Sequence, residues 1–255
     1  MRLQHLTWLN VQQMDLRSRI VLLPLGSTEQ HGHHLPLFTD TALVEAVASG
    51  VHDRLPDDIL LLPTLWCGHS THHMAFPGTV SVTQSVYQAL IGDFCDSLVK
   101  AGARKIFLLN GHGGNDVPVR YALREVKSRH PDVEGLHIVL ASYWNIAAKT
   151  LREVRESDIG GMGHACEMET SMMLHLQNEH VQMDKARRDG PAQHPPYRLT
   201  DMQQGTVYYS VSEFHEISET GTVGEPTLAS AEKGRRFYEG VVEEVTAFVS
   251  DFKTW

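Results

Sequence analysis

Four short apolar runs constrain this chain more than anything else in it: residues 19–25 (RIVLLPL), 59–65 (ILLLPTL), 105–109 (KIFLL) and 136–141 (LHIVLA). Each is rich in Leu, Ile or Val, and none alternates cleanly between apolar and polar residues. Successive side chains of a strand point to opposite faces, so a strand with one wet face must alternate. Runs that do not alternate are strands covered on both faces. Helical patterns lie between them, at residues 41–55, 83–101 and 115–129. Residues 168–177 read as a further helix and 232–252 as an amphipathic closing helix. Strand–helix alternation implies an α/β domain with a mainly parallel sheet and right-handed crossovers. With 255 residues, 42% of them hydrophobic, the chain can bury such a core without staples. No repeat or long linker divides it, so one domain over residues 1–255 is expected. Residues 187–206, with three prolines, are a candidate flap or oligomer contact.

Several classes of function are excluded at this level. A formal charge of -9 repels phosphate backbones, which argues against a nucleic-acid partner. No stretch approaches 18 consecutive apolar residues, and the N-terminus lacks a basic start followed by an apolar run. Neither a membrane span nor a signal peptide is therefore expected. Cys67, Cys95 and Cys166 are too few and too widely spaced for a disulfide framework, so the expected compartment is the reducing cytoplasm.

The strand ends carry the chemistry. The first is followed by Glu29, His31 and Asp40, the second by His69, His72 and His73, the third by Asn110, His112 and Asn115, and the fourth by Tyr143, Trp144 and Asn145. Open α/β sheets bind ligands outside the carboxyl ends of their strands. In an extended segment Glu29 and His31 point to the same side, and carboxylate plus imidazole suits Zn²⁺, Mn²⁺ or Fe²⁺. The plainer alternative is a polar loop with a capping Glu. Asp40 precedes an apolar helix, so it reads either as an N-cap or as a carboxylate bridging two metals. In LLNGHGGND the glycines allow a sharp turn, and the segment is neither GxxxxGK[ST] nor GxGxxG. His112, set between glycines, can serve as a ligand. In HACEMETS, His164, Glu167 and Glu169 read as an acid/base set, as further ligands, or as a helix start with well-placed acids. No Gly-x-Ser-x-Gly elbow supports a serine nucleophile. Together these residues form the palette of a two-metal hydrolase, whose ions about 3.5–4 Å apart generate hydroxide and polarise a carbonyl.

The segments GSTEQHGHHLPLFTD, HHMAFPGTVSV, LLNGHGGN, HACEMETS and TGTVGEPTLASAEKGRRFYE, in that order from residue 26 to 239, resemble the creatininase family of metal-dependent amidohydrolases. The resemblance implies a three-layer α/β/α fold, two divalent ions per chain (Zn, Mn or Fe) and a homo-oligomer, often a hexamer. It makes Glu29, His31, Asp40 and His112 metal ligands, with Asp40 bridging. His31 would serve one ion, and Glu29 with His112 the other. His164 matches a histidine beside the scissile bond that donates or accepts a proton.

Two departures stand out. Creatininase proper has a metal-binding Glu two residues after the loop histidine, where this chain has Gly114. Glu169 is the expected replacement, with a part in catalysis, and Glu167 is the second choice. Creatininase proper also places a Trp-Asp pair shortly before the second histidine, where this chain has Gly160 and Gly161. A Trp offers a large flat surface and Gly none, which argues against creatinine as the substrate. Trp144 is expected as one wall of the pocket, with Gly113 and His73 also facing substrate. His72 and His73 read equally well as structural.

The expected activity is hydrolysis of a C–N bond in a small polar amide or cyclic amide by a metal-bound hydroxide. Within the family the alternatives are a formamide of a purine-like intermediate, a peptide, or a cyclic ketone of a cyclitol. Outside it they are a metal-binding protein without turnover and a cysteine amidase using Cys166.

Overall fold

The computed structural model describes residues 1–191, 201–204, 208 and 210–255. A short helix α1 (Trp8–Gln12) leads to β1 (Ile20–Leu25), α2 (Thr39–Arg54), β2 (Ile59–Leu61), α3 (Gln84–Lys100), β3 (Lys105–Asn110), α4 (Asp116–Arg129) and β4 (His137–Ser142). Then follow α5 (Tyr143–Ile146), α6 (Ala148–Val154), β5 (Met162–His164), α7 (Glu167–Leu176), α8 (Phe214–Ile217), β6 (Val223–Gly224) and α9 (Ala231–Phe252). The main sheet has the order β2-β1-β3-β4, and every pairing in it is parallel.

The lack of alternation in β1 has the expected cause. Ile20 and Leu22 pack into one core with residues of α2, α7 and α9. Val21, Leu23 and Leu25 pack into a second core with residues of α3 and α4. Helices therefore cover both faces, giving three layers. The last helix buries Val241, Val245, Val249 and Phe252 along one side and is capped at its start by Ser230, which accepts from the Lys233 N–H at 3.2 Å. At Gly234 a Cβ would stand 1.8 Å from the Ser171 carbonyl oxygen, so α9 and α7 meet backbone to backbone.

Two local expectations are corrected. The second strand ends at Leu61 rather than 65, because Pro63 has no N–H for the ladder. The chain rejoins the sheet where the Leu65 N–H donates to Pro24. The helix expected from residue 41 begins at Thr39 with Phe38 as its N-cap, so Asp40 lies inside the first turn and is not the cap. Most of the candidate flap at 187–206 falls outside the described residues. Among the described residues, no helix is long and apolar enough to cross a membrane.

The small sheet completes the edge where the strand ends gather. Antiparallel β5 and β6 pair His164 with Val223 and Met162 with Gly224. This joins HACEMETS to TGTVGE and brings both against the carboxyl ends of β1 and β3.

Candidate active site

Glu29, His31, Asp40, His112, His164 and Glu169 converge in one place, and each is at most 8% exposed. The loop after β1 supplies Glu29 and His31, the first turn of α2 supplies Asp40, and the glycine turn after β3 supplies His112. His164 ends β5, and Glu169 stands in the first turn of α7.

The hydrogen bonds fix which ring nitrogen of each histidine is free. His31 Nδ1 is 3.2 Å from the backbone oxygen of Glu29, which can only accept, so the proton lies on Nδ1. Nε2 then presents a lone pair, yet it lies 3.0 Å from Asp40 Oδ1. His112 repeats the pattern: Nε2 is 3.1 Å from the His69 carbonyl oxygen and carries the proton. Its Nδ1 lies 3.0 Å from Asp40 Oδ2 and 3.1 Å from Glu29 Oε2. Asp40 Oδ2 finds no hydrogen-bond donor among the described residues. Lone pairs that face carboxylate oxygens at such distances require a cation between them, a proton or a metal.

The charges point the same way. Burial alone would lower the pKa of both imidazoles. For His31, Asp40, Glu169 and Glu29 outweigh burial and hold its pKa up to about 9. For His112, Glu29 and Asp40 do the same. Burial pushes Glu169 up to about 7, with His31 opposing and Asp40 adding to the rise. Burial raises and the two imidazoles lower Asp40, which ends well below the usual carboxylate range. Three carboxylates share one buried volume, and among the described residues none of them pairs with a Lys or Arg. Such a cluster is costly unless a cation enters it. Two sets of donor atoms lie close enough to hold an ion, Glu29/Asp40/His112 and His31/Asp40/Glu169, and a third is Glu29/His31/His164. These donors fit a pair of divalent ions of the zinc or manganese type.

Glu167 and Glu169 are separated by the structure. Glu167 turns away, to Lys233 Nζ at 2.7 Å and the backbone N–H groups of Glu156 and Ser157. Glu169 accepts from the Cys166 N–H at 3.1 Å and faces the cluster. Gly114 has no room for a carboxylate, because its Cβ would stand 2.2 Å from the His69 oxygen and 2.5 Å from His112 Nε2. Gly160 and Gly161 do not suit a Trp-Asp pair either, the first because of its backbone angle, although the space around it is open, and the second because of crowding. Gly160 has φ +95°, and a Cβ on Gly161 would meet the Ser157 side chain at 2.4 Å.

His164 Nε2 donates to the Gln30 backbone oxygen at 2.7 Å, leaving Nδ1 free, 3.8 Å from Glu29 Oε1. Burial and the nearby His31 keep this ring neutral. His73 is 1% exposed and its Nε2 lies 3.2 Å from Glu29 Oε1, so it holds a carboxylate as well as bordering the pocket. Trp144 and Gly113 line the same cavity, of about 250 Å³, with His72, Gly163, Met202 and Phe214. Cys166 is buried, and burial with the neighbouring Glu169 pushes its thiol pKa up, so it is no nucleophile.

Sequence reading passed over Gln30 and Phe214. Gln30 is 4% exposed and bonds the histidines from behind. Phe214 stacks on His73 with ring centroids 3.9 Å apart. In STEQHG the ligand signal lies in Glu29 and His31, with Gln30 reading as a spacer, and Phe214 lies in a stretch with no periodic signal.

Comparison with known proteins agrees with this geometry. The profile of the creatininase family, described as creatinine amidohydrolase, matches residues 4–249. The chain is 32% identical over 240 residues to the mycofactocin precursor peptide peptidase of Mycobacterium tuberculosis, covering 91% of this chain and 85% of that one. It is 28% identical to the creatinine amidohydrolase of Pseudomonas putida, covering 89% and 86%. With the 3-dehydro-scyllo-inosose hydrolase of Thermotoga maritima it shares 27%, covering 97% and 82%. Among solved structures, a creatininase of Zn-Zn type matches with a TM-score of 0.82 at 26% identity over 98% of this chain and 97% of that one. A manganese creatininase matches at 0.80 and 28%, over 98% and 97%.

Proposed function

This chain belongs to the creatininase family of metal-dependent amidohydrolases, and from that premise we propose that it hydrolyses a C–N bond in a small polar amide or cyclic amide other than creatinine. Glu29, Asp40 and His112 would hold one divalent ion, and His31, Asp40 and Glu169 the other, with Asp40 shared. The observation that carries this reading is the pair of ring nitrogens, His31 Nε2 and His112 Nδ1, each 3.0 Å from a different oxygen of Asp40, so that a proton or a metal must lie between them. Zinc and manganese forms of solved creatininases support those two metals first. Bound there, such ions polarise a carbonyl oxygen and acidify water.

The chain's own residues do the rest. Asp40 and Glu29 present side-chain oxygens in a volume from which bulk water is largely excluded. His164, neutral and held by Gln30, can take a proton at Nδ1 and return it to a leaving nitrogen. Trp144, Met202 and Phe214 supply flat or soft apolar wall, and the glycines at 113, 114 and 163 let a substrate approach the backbone. The absence of side chains at 160 and 161 supports a substrate other than creatinine. The reading extends to a homo-oligomer in the cytoplasm, where the free Cys67, Cys95 and Cys166 would stay reduced.

The test is metal content per chain, on protein purified without chelator, followed by matched panels of amides, cyclic amides and cyclic ketones. About two ions per chain and turnover of an amide are expected. No ion after incubation with Zn²⁺ or Mn²⁺, or turnover of cyclic ketones alone, would overturn the reading.

A further inference from the structure

Gln30 lies between two of the cation-facing residues yet points away from them, toward the loop before β6. Its amide orientation is fixed by its surroundings. The Gly32 N–H is 2.9 Å from Oε1 and can only donate, so Oε1 is the acceptor end. The amide nitrogen then lies 3.0 Å from the Gly221 carbonyl oxygen and 2.8 Å from His73 Nδ1. An amide nitrogen has two protons, and these are its two acceptors. His164 Nε2 is also 3.1 Å away, but it already donates to the Gln30 backbone, so that approach joins two donors and carries no bond.

We infer that Gln30 sets the tautomer of His73 and, through it, holds Glu29 in place. Because His73 Nδ1 accepts, its proton lies on Nε2, 3.2 Å from Glu29 Oε1. The other carboxylate oxygen, Oε2, accepts from Ser27 Oγ at 3.2 Å. Each oxygen of Glu29 therefore has one fixed donor and keeps its remaining lone pair for the cavity. Gly221 completes the arrangement: at φ +87°, its Cβ would stand 1.9 Å from Gln30 Oε1, so any side chain there ejects the amide. The TGTVGE segment thereby forms the seat of Gln30. Phe214 stacks on the face of His73 at 3.9 Å and makes no hydrogen bond to it, so the ring's proton is set by Gln30 and not by the stack. Gln30 is thus a positioning residue, acting on the cavity only through His73. The consequence for metal affinity rests on the two-ion reading, whereas the tautomer does not.

The experiment is the long-range ¹H–¹⁵N spectrum of histidine-labelled protein, metal-free and zinc-loaded, with His73 assigned by its loss in His73→Gln. Zinc affinity is read alongside by competition with a chromophoric chelator. In the wild type, His73 is expected as the Nε2–H form in both states. In Gln30→Glu the carboxylate only accepts, so His73 gains a proton on Nδ1, and affinity for one of the ions falls roughly 10- to 100-fold. Gln30→Met keeps the volume without the bonds and leaves His73 a mixture of tautomers, which also covers the case of a glutamate variant that does not fold. An Nδ1–H His73 in the wild type overturns the inference. So does a His73 unchanged in Gln30→Met, or a folded Gln30→Glu whose tautomer and zinc affinity stay within about twofold of wild type. A wild type that binds no zinc yet shows Nε2–H His73 removes the two-ion reading and supports the relay.

Discussion

Two clusters of buried charge flank the turn at Cys166, and they are completed in opposite ways. In one, Glu167 meets Lys233 at 2.7 Å and two backbone N–H groups, while Asp201 takes two 3.0 Å bonds from Arg155 and another from the Gly160 N–H. Burial raises the Glu167 pKa, but these donors outweigh it and the carboxyl ends below its ordinary value. In the other, Glu29, Asp40 and Glu169 meet imidazoles and N–H or O–H groups but, among the described residues, no fixed cation. Buried carboxylates neutralised by the chain's own Lys and Arg make a closed, structural site. Carboxylates and lone pairs left facing one another make a site that must take its cation from outside.

The largest expected effect is at Asp40. Asp40→Ala removes the group that offers one oxygen to each histidine, so elemental analysis should fall from about two ions per chain to near none, with hydrolysis lost. Retention of both ions would end the comparison. Next comes the contrast between neighbours in α7. Lys233→Met leaves Glu167 buried and unpaired and should cost about 3–5 kcal/mol in chemical denaturation, with metal content unchanged. Glu169→Gln should do the reverse, with one ion lost and a folded chain retained. Lys233→Met that sheds metal would merge the two clusters into one.

A third test uses pH. In metal-free protein, His31 is held up to about 9 from 6.5 and Glu169 up to about 7 from 4.5. Both folded pKa values are raised, so both contributions are present at low pH and are lost as pH rises, Glu169's through about 7 and His31's through about 9. Buried His164 and His73, whose pKa values are lowered, add stability as pH rises through 6.5, so the drop is read above that range: thermal melts of the metal-free chain should fall by roughly 5 °C or more between pH 7 and 9. Saturating Zn²⁺ should abolish that slope, since the ion replaces the protons. A slope of the opposite sign would show that other groups govern the cluster. The smallest effect is at the wall: Phe214→Ala should raise KM up to about tenfold with little change in kcat, as steady-state kinetics on the best amide would show.

Much of the molecule is legible in its residues alone. Unalternating apolar runs declare a sheet covered on both faces, and the residues after each run mark the edge where a site would form. Glu29, His31, Asp40 and His112 are candidates on that reading, His164 and Glu169 come from HACEMETS and the family resemblance, and all six meet. Choice among near neighbours is not legible. Glu167 and Glu169 lie roughly 200° apart around a helix, so one must face α9 and the other the cavity, and nothing in EMET says which. His73 reads as a pocket residue but also carries a hydrogen bond to Glu29. Gln30 reads as a spacer, because its partners are Gly221 and His73, one of them 191 positions away in the chain.

The sequence by itself determined the fold class, the edge that carries the site and the kinds of donor gathered there, because these follow from local periodicity and from the side chains available. Tertiary structure decided which carboxylate faces inward, which ring nitrogen keeps its lone pair and what holds Glu29. Those depend on contacts between segments far apart in the chain, and a hydrogen bond has no direction until both of its ends are placed.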